Sequence, residues 1–312
     1  MSFVLRDEQF YLARKSGNLR LRAVLISSIR RFFEKHLFLE VETPLCIPAP
    51  APEEHIEAIP SEDWFLQTSP ELYMKRLMAA GYPRIFQICK CFRANERGNR
   101  HLPEFTMLEW YVAQFDYHQL MDQCETLLID AFQSAKQMQS IAQLPSEIHF
   151  CSPWHRITVA DAFMQYAPVS LEEALEKNRF DEILVEYVEP HLGKDRPLFL
   201  CDYPRSMAAL AKLKEDRPDI AERFELYIGG IEIANGFSEL TDPVSQRRRF
   251  EEALAFRAGK NRAKYPMPEP FLAALENLPP CAGIALGIDR LIMILTGTST
   301  IDDVVAFPPE WL

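Results

Sequence analysis

An α+β chain, with antiparallel strand pairs flanked by helices, is what this sequence predicts, and three stretches carry the prediction. Arg84–Tyr111 reads as two strands joined by a basic loop. Glu222–Leu240 reads as a second hairpin, turned at Gly229-Gly230, a two-residue signal for a tight reversal. Leu19–Phe38 reads as a long amphipathic helix. There Leu21, Leu25, Ile29 and Phe32 recur at helical spacing, with Arg20, Arg22, Arg30, Arg31 and Lys35 on the other side.

Taken in order, residues 1–18 form a short lead into that helix, and Leu39–Pro44 is a short strand ending at its proline. Pro48–Pro60, rich in proline and acids, reads as an ordered loop or lid. Trp64–Gln67 is a further short strand. After it, Thr68 or Ser69 is suited to cap a helix that has Pro70 and Glu71 in its first turn. The apolar run Ile85–Cys91 is expected to be a strand buried on both faces, and Glu104–Tyr111 returns at strand density. Between them stand Arg93, Arg97, Arg100 and His101. Arginines fixed over a sheet grip phosphates well, because the planar guanidinium meets two oxygens at once. Phe105, just past the loop, is placed to lie flat against a base. A surface hairpin with solvated arginines is the plainer alternative. Leu120–Gln139 is expected to be helical, and 140–222 mixed, with helical stretches near 158–165, 170–177 and 205–215.

The Gly229-Gly230 turn pairs Tyr227 with Glu232, which puts Glu225, Tyr227 and Glu232 on one face. Two carboxylates kept from water are costly unless a cation sits between them. Mg²⁺ carried on a nucleotide suits such a pair; a solvent-facing strand surface is the alternative. Gly236 is expected to mark a bulge that re-aims Asn235 and Glu239 toward the same pocket. In Ala282–Gly297, small residues form a strand that ends at Gly287, and Asp289 and Arg290 open a helix. Gly287 would allow close backbone approach of a ligand, and Arg290 would add positive potential near a helix N-terminus. A plain salt bridge is the other use of that arginine.

Composition sets limits. With 312 residues the chain can bury the core of one large sheet enzyme. No run reaches the ~18–20 apolar residues of a membrane span, and acids near the start argue against a signal peptide. The seven scattered cysteines lack metal-ligand spacing and read as reduced thiols of a cytoplasmic protein; Cys89 and Cys91 would face one side of their strand. A net charge of −11 disfavours a dedicated nucleic-acid binder, which needs basic surface.

The order of residues goes further. Phe92-Arg93, a loop, and then RHLPEFTMLEWY (Arg100–Tyr111) resembles motif 2 of class II aminoacyl-tRNA synthetases, and within them the lysyl enzymes. The helix and strand ending at Pro44 resemble motif 1, the dimer interface of those enzymes, which implies a homodimer. Ser69-Pro70-Glu71 matches the segment lining their amino-acid pocket, a role compatible with capping. Glu222–Leu240 resembles the segment with their Mg²⁺-ATP glutamates, Ala282–Gly297 resembles motif 3, and Thr300–Phe307 resembles the end of the lysyl-type domain. The resemblance covers roughly residues 19–308, and its motif order carries the fold class, an antiparallel sheet flanked by helices, more firmly than the strand assignments do.

By that resemblance, an amino acid and ATP give an aminoacyl-adenylate. Arg93 would hold the α-phosphate; Arg100, His101 and Arg290 the outer phosphates; Phe105 the adenine; Glu225 and Glu232 the Mg²⁺. Departures from the lysyl pattern at Ala94-Asn95 and at Leu102 leave main-chain contacts there, as at Ile233, with Gly287 beside the nucleotide. Ser69, Pro70, Glu71, Glu109, Tyr111, Asn235, Glu239 and Ala285 would form the amino-acid site, whose acids suit two ammonium groups. Ala285 stands where lysyl-tRNA synthetases have glycine; its methyl either fills core space or crowds the α-amine of lysine and favours β-lysine. A single catalytic domain over 1–312 is expected, with 112–221 a variable, largely helical insertion. The motif 1 helix begins too early for an anticodon-binding barrel, so the chain resembles the elongation factor P–lysine ligase family. There the lysine, typically (R)-β-lysine, goes to a lysine side chain of elongation factor P and no tRNA is charged. A reduced lysyl-tRNA synthetase core and an inactive regulatory paralogue are the alternatives.

Overall fold

The computed structural model describes residues 2–137 and 148–312, with side chains from Glu8 onward. Its centre is an eight-stranded sheet. Strands β1 (Leu39–Glu40), β5 (Arg84–Phe92), β6 (Glu104–Ala113), β11 (Cys281–Gly287), β10 (Ile231–Ser238), β9 (Ile220–Ile228), β8 (Leu198–Pro204) and β7 (His155–Thr158) lie side by side in that order. The inner six pair antiparallel, as expected, but the short edge strands β1 and β7 run parallel to their neighbours, so the sheet is mixed. A small sheet of β2 (Cys46–Ile47), β4 (Trp64–Leu66) and β3 (Pro60–Ser61) holds the proline-rich segment.

Helices cover both faces. On one pack α2 (Ser16–Lys35), α4 (Tyr117–Gln137) and α10 (Ile288–Thr296), with Leu25, Phe33, Trp110, Leu128, Phe224 and Ile292 in the core. On the other pack α3 (Glu71–Ala79), α5 (Val159–Tyr166), α6 (Leu171–Glu176), α7 (Phe180–Ile183) and α9 (Glu269–Ala274). The lead-in forms a helix of its own, α1 (Ser2–Arg14), and α8 (Pro243–Gly259) follows the β9–β10 hairpin. No helix among the described residues is long and apolar enough to cross a membrane.

Several expectations shift on inspection. Leu21, Leu25, Ile29 and Phe32 are all buried, but Arg22 turns inward and pairs with Asp289 of α10. The helix expected over Leu120–Gln139 begins at Tyr117; its last two residues lie outside those described. The stretches near 158–165 and 170–177 are α5 and α6. The one near 205–215 is not a helix beyond the single turn Arg205–Met207; its backbone instead bridges to the sheet at Ala211–Glu239 and Leu213–Ala221. In β5, Arg84 and Lys90 are exposed, so burial on both faces holds only in the middle. Cys89 and Cys91 do share a side, with sulfurs 3.9 Å apart, and all seven thiols are free.

Candidate active site

Alternation along the inner strands sends Leu108, Trp110 and Ile284 into the core under α4 and α10. It sends Glu109, Tyr111, Glu225 and Ala285 to the opposite face, into a cavity of about 370 Å³. The register lines up Gln87, Glu109, Ala285, Asn235 and Glu225 in one row across five strands. Ala285 is the small member at its centre. In the next row Tyr111, Gly283, Phe237 and Arg223 are neighbours. A Cβ on Gly283 would lie 2.2 Å from the Tyr111 ring, so glycine is what lets that ring cross the strand.

The Gly-Gly turn pairs Tyr227 with Glu232 as expected, whereas the bulge falls at Ile233 rather than Gly236. The extra residue restores parity, so Asn235 lies opposite Glu225 on the cavity side. Gly236 is glycine for another reason: a Cβ there would meet the Phe224 ring at 2.7 Å.

One set of side chains is acidic. The Ser69 hydroxyl donates to Glu109 Oε1 at 2.6 Å and accepts from the Glu71 N–H at 3.0 Å, while the Tyr111 hydroxyl donates to Glu109 Oε2 at 3.0 Å. Pro70, not Ser69, occupies the cap position of α3. Burial pushes the Glu109 carboxyl up to about 8, and the charge of Glu71 adds to it. Beneath this floor, Lys75 reaches back one helical turn to Glu71 at 2.5 Å and pairs with Glu239. Burial works against the ammonium, but Glu239 and Glu71 outweigh it and hold Lys75 above its ordinary range. Burial raises Glu239 as well, so the carboxyl is the partner that loses charge first as pH falls.

A second set is basic. Arg290 in the first turn of α10 donates to the Glu232 carbonyl at 3.0 Å and to its carboxylate at 3.2 Å. Its other nitrogen meets His101 Nε2 at 2.6 Å. Burial first and Arg290 second lower the His101 pKa, so the ring stays neutral and that nitrogen accepts. Arg93 lies over the Phe105 ring, 5.1 Å from its centre, and its buried Nε has no partner among the described residues. Glu225 accepts from Arg223 at 2.5 Å and from Tyr227 at 2.7 Å. Burial raises the Glu232 carboxyl, and Glu225 raises it further. The loop carrying these arginines is tied to segment 300–311: Arg97 bonds Asp302 at 2.8 Å and Glu310 at 2.8 and 2.9 Å, and the Ile301 N–H bonds the Asn99 carbonyl.

The cavity thus brings together Ser69, Glu71, Arg93, Arg100, His101, Leu102, Phe105, Glu109, Tyr111, Glu225, Glu232, Ile233, Asn235, Ala285, Gly287 and Arg290. Three expected residues stay out of its lining. Pro70 shapes the α3 start, Asn95 is exposed in the loop with φ 64°, and Glu239 is sealed behind Gly283 with Lys75. Sequence reasoning passed over Lys75, Arg223 and Glu53. The first two had a signal, since Lys75 is four residues from Glu71 and Arg223 shares parity with Glu225. Glu53, in an aperiodic loop, had none. Arg223 also brings an arginine into the wall, but Glu225, Asn235 and the Met207 carbonyl occupy its nitrogens.

The model of class II tRNA synthetases (D, K and N) matches residues 9–310. The chain belongs to that family. Class II synthetase-like ligases use ATP and Mg²⁺, and a cavity with an arginine-rich set beside buried carboxylates fits the family's site. A relative from Vibrio vulnificus is 41% identical over 308 residues, spanning 93% of this chain and 95% of its own. Relatives from Proteus mirabilis and Pectobacterium carotovorum are each 39% identical and span 94% of this chain and 95% of their own. All three are named elongation factor P–(R)-β-lysine ligase.

Proposed function

We infer that this chain is an ATP-dependent ligase that activates (R)-β-lysine as its adenylate and passes it to a lysine side chain of elongation factor P. The observation that carries the reading is one cavity holding buried acids for ammonium groups beside arginines for phosphates, in a chain whose relatives bear that name. Ser69, Glu71, Glu109 and Tyr111 would take the substrate's ammonium groups, bordered by Asn235 and Ala285. Its carboxylate attacks the α-phosphorus, the bond to the bridging oxygen breaks, and pyrophosphate leaves. Arg93, with a donor still unused, would neutralise charge gathering at the α-phosphate. Arg100, His101 and Arg290 would hold the outer phosphates, Phe105 the adenine, and Gly287 with the main chain at Leu102 and Ile233 would flank the nucleotide. The acceptor amine then attacks the carbonyl carbon, AMP departs, and an amide remains. Positioning and fixed charge do this work.

Glu225 and Glu232 fit a Mg²⁺, since burial and the charge of Glu225 raise the cost of ionising Glu232 and a cation would relieve it. It would supply charge neutralisation on the phosphates. Glu239 acts through Lys75 as a positioning residue. The chain is read as one catalytic domain because the 112–221 segment adds β7 and β8 to the same sheet. A homodimer is supported by exposed Leu37, Leu39 and Leu45 around the motif 1 strand, and a cytoplasmic setting by the seven free thiols. Net charge −11 speaks against tRNA as acceptor.

The test offers ATP, labelled (R)-β-lysine or lysine, and either elongation factor P or tRNA. Label is expected in elongation factor P; label in tRNA alone overturns the reading. Arg93→Ala and Arg290→Ala should each slow lysine-dependent ATP–pyrophosphate exchange by about 10²–10³, as loss of one oxyanion donor does. Near-normal exchange in both removes the arginines from the mechanism.

A further inference from the structure

We propose that a basic cleft opening onto the active-site cavity docks an acidic face of the acceptor protein. The assignment rests on the functional reading above, in which that acceptor is elongation factor P. The cleft, about 940 Å³, lies between α8 and residues 205–213. It shares Glu53, Ile56, Ala209, Leu210 and Arg223 with the active-site cavity, so the two adjoin along those residues.

Arg205, Lys212, Arg248 and Arg249 line it, with Glu54, Asp181 and Glu252 also in its wall. Among the described residues, the three arginines form no ion pair, although Arg223 and Arg247 nearby each hold a carboxylate. Arg249 spends one nitrogen on the Ala209 and Ala211 carbonyls at 2.8 and 2.7 Å, and this pins it beside Arg205 and Arg248. After burial, the charges of those two lower its pKa further, as expected of clustered cations. A second observation is independent of charge. Gln246 is 1% exposed and lines the cleft, yet neither its amide nitrogen nor its oxygen has a hydrogen-bond partner among the described residues. Buried amides are seldom left so. Arginines gathered without ion-pair partners, in a chain with 45 acids against 34 bases, are not explained by folding alone.

Carboxylates on a partner protein would pair with the arginines. Phosphates could pair with arginines too, but a long polyanion would meet the repulsion of net charge −11 elsewhere on the surface. The junction of the two cavities carries both signs, Arg223 and Glu53. Glu53 stands there, half-buried and near Arg93 and Arg223, with its carboxyl pushed up by burial to about 7. An acceptor lysine flanked by acids would therefore meet arginines outside and a carboxylate at the throat.

The experiment compares Arg205→Glu, Arg248→Glu and the double variant, both sites being exposed. Two rates are read: (R)-β-lysine-dependent ATP–pyrophosphate exchange, which needs no acceptor, and transfer of labelled (R)-β-lysine to elongation factor P. Exchange should stay within about twofold of wild type, while the double variant loses at least about tenfold in kcat/KM for the acceptor, mainly through KM. The wild-type rise of that KM with salt should flatten. Transfer at the wild-type rate with exchange intact overturns the docking assignment, as does a double variant defective in charging tRNA that the wild type charges. Wild-type enzyme that leaves elongation factor P unmodified overturns the functional reading itself, before any variant is compared.

Discussion

Lys75 is a cation built into a pocket whose proposed substrate is itself a cation. Glu71, Glu109 and Glu239 crowd one another, and buried like charges cannot all ionise cheaply. The internal ammonium settles the matter by fixing Glu71 and Glu239 in place, which leaves Glu109, held by Ser69 and Tyr111, as the carboxyl without a charged partner. Lys75→Met strands buried carboxylates and should cost about 3–5 kcal/mol in urea unfolding. Adding Glu239→Gln should return part of that loss, because the two sites share one contact; strictly additive losses would break the assignment. Glu109 makes a different prediction. It keeps its proton up to about 8 in the folded protein, against 4.5 for the ordinary group. The folded state therefore binds more protons in that window, and stability falls as pH rises through it. Glu109→Gln lacks this proton, so its decline should be shallower. The variant should match wild type near about pH 5 and exceed it by up to a few kcal/mol near about pH 9. Parallel pH profiles would show that Glu109 does not titrate there.

At the scale of elements, the central strand β11 carries two cavity-facing positions that should respond differently. Gly283→Ala drives a methyl into the Tyr111 ring and parts Tyr111 from Glu109, costing about 1–3 kcal/mol of stability as overpacking does, together with activation of β-lysine. Ala285→Gly should leave stability nearly intact and shift the kcat/KM ratio toward α-lysine, by at most about 1–3 kcal/mol. An unchanged ratio would mark Ala285 as packing. The same strands show what the sequence could and could not reveal. The β9–β10 hairpin was legible because a Gly-Gly turn and a period of two are local signals. Its bulge was not, since Ile233 looks like any apolar strand residue and Gly236 offered a more visible wrong answer. The stretch after Arg205 has helical spacing but takes its backbone hydrogen bonds from the sheet, a tertiary choice that no local pattern records. Motif residues from four distant stretches were brought into one cavity, while the arginine cleft, assembled from segments without motifs, left no trace in the reading.

For the whole molecule, the motif 1 region holds a conspicuous expense. Leu37 ends α2 in the left-handed conformation, φ 61°, where glycine is the favoured residue, and it is 85% exposed. With Leu39 and Leu45 also exposed, an apolar patch is left that a second copy of the chain would cover. Leu37→Gly should relieve the backbone and yet weaken the proposed dimer, by about 1.5–3 kcal/mol for each leucine uncovered, counted twice by symmetry. Sedimentation across a dilution series would measure it, and an unchanged dissociation constant would place the interface elsewhere. The tether between the motif 2 loop and segment 300–311 has a consequence in time. Arg97 and Glu310 are 213 residues apart. During synthesis, at about 5–20 residues per second, the loop emerges roughly ten to forty seconds before its clasp exists. For that interval the nascent chain carries the arginine loop unfastened, so nucleotide affinity should mature well after the loop itself has been made.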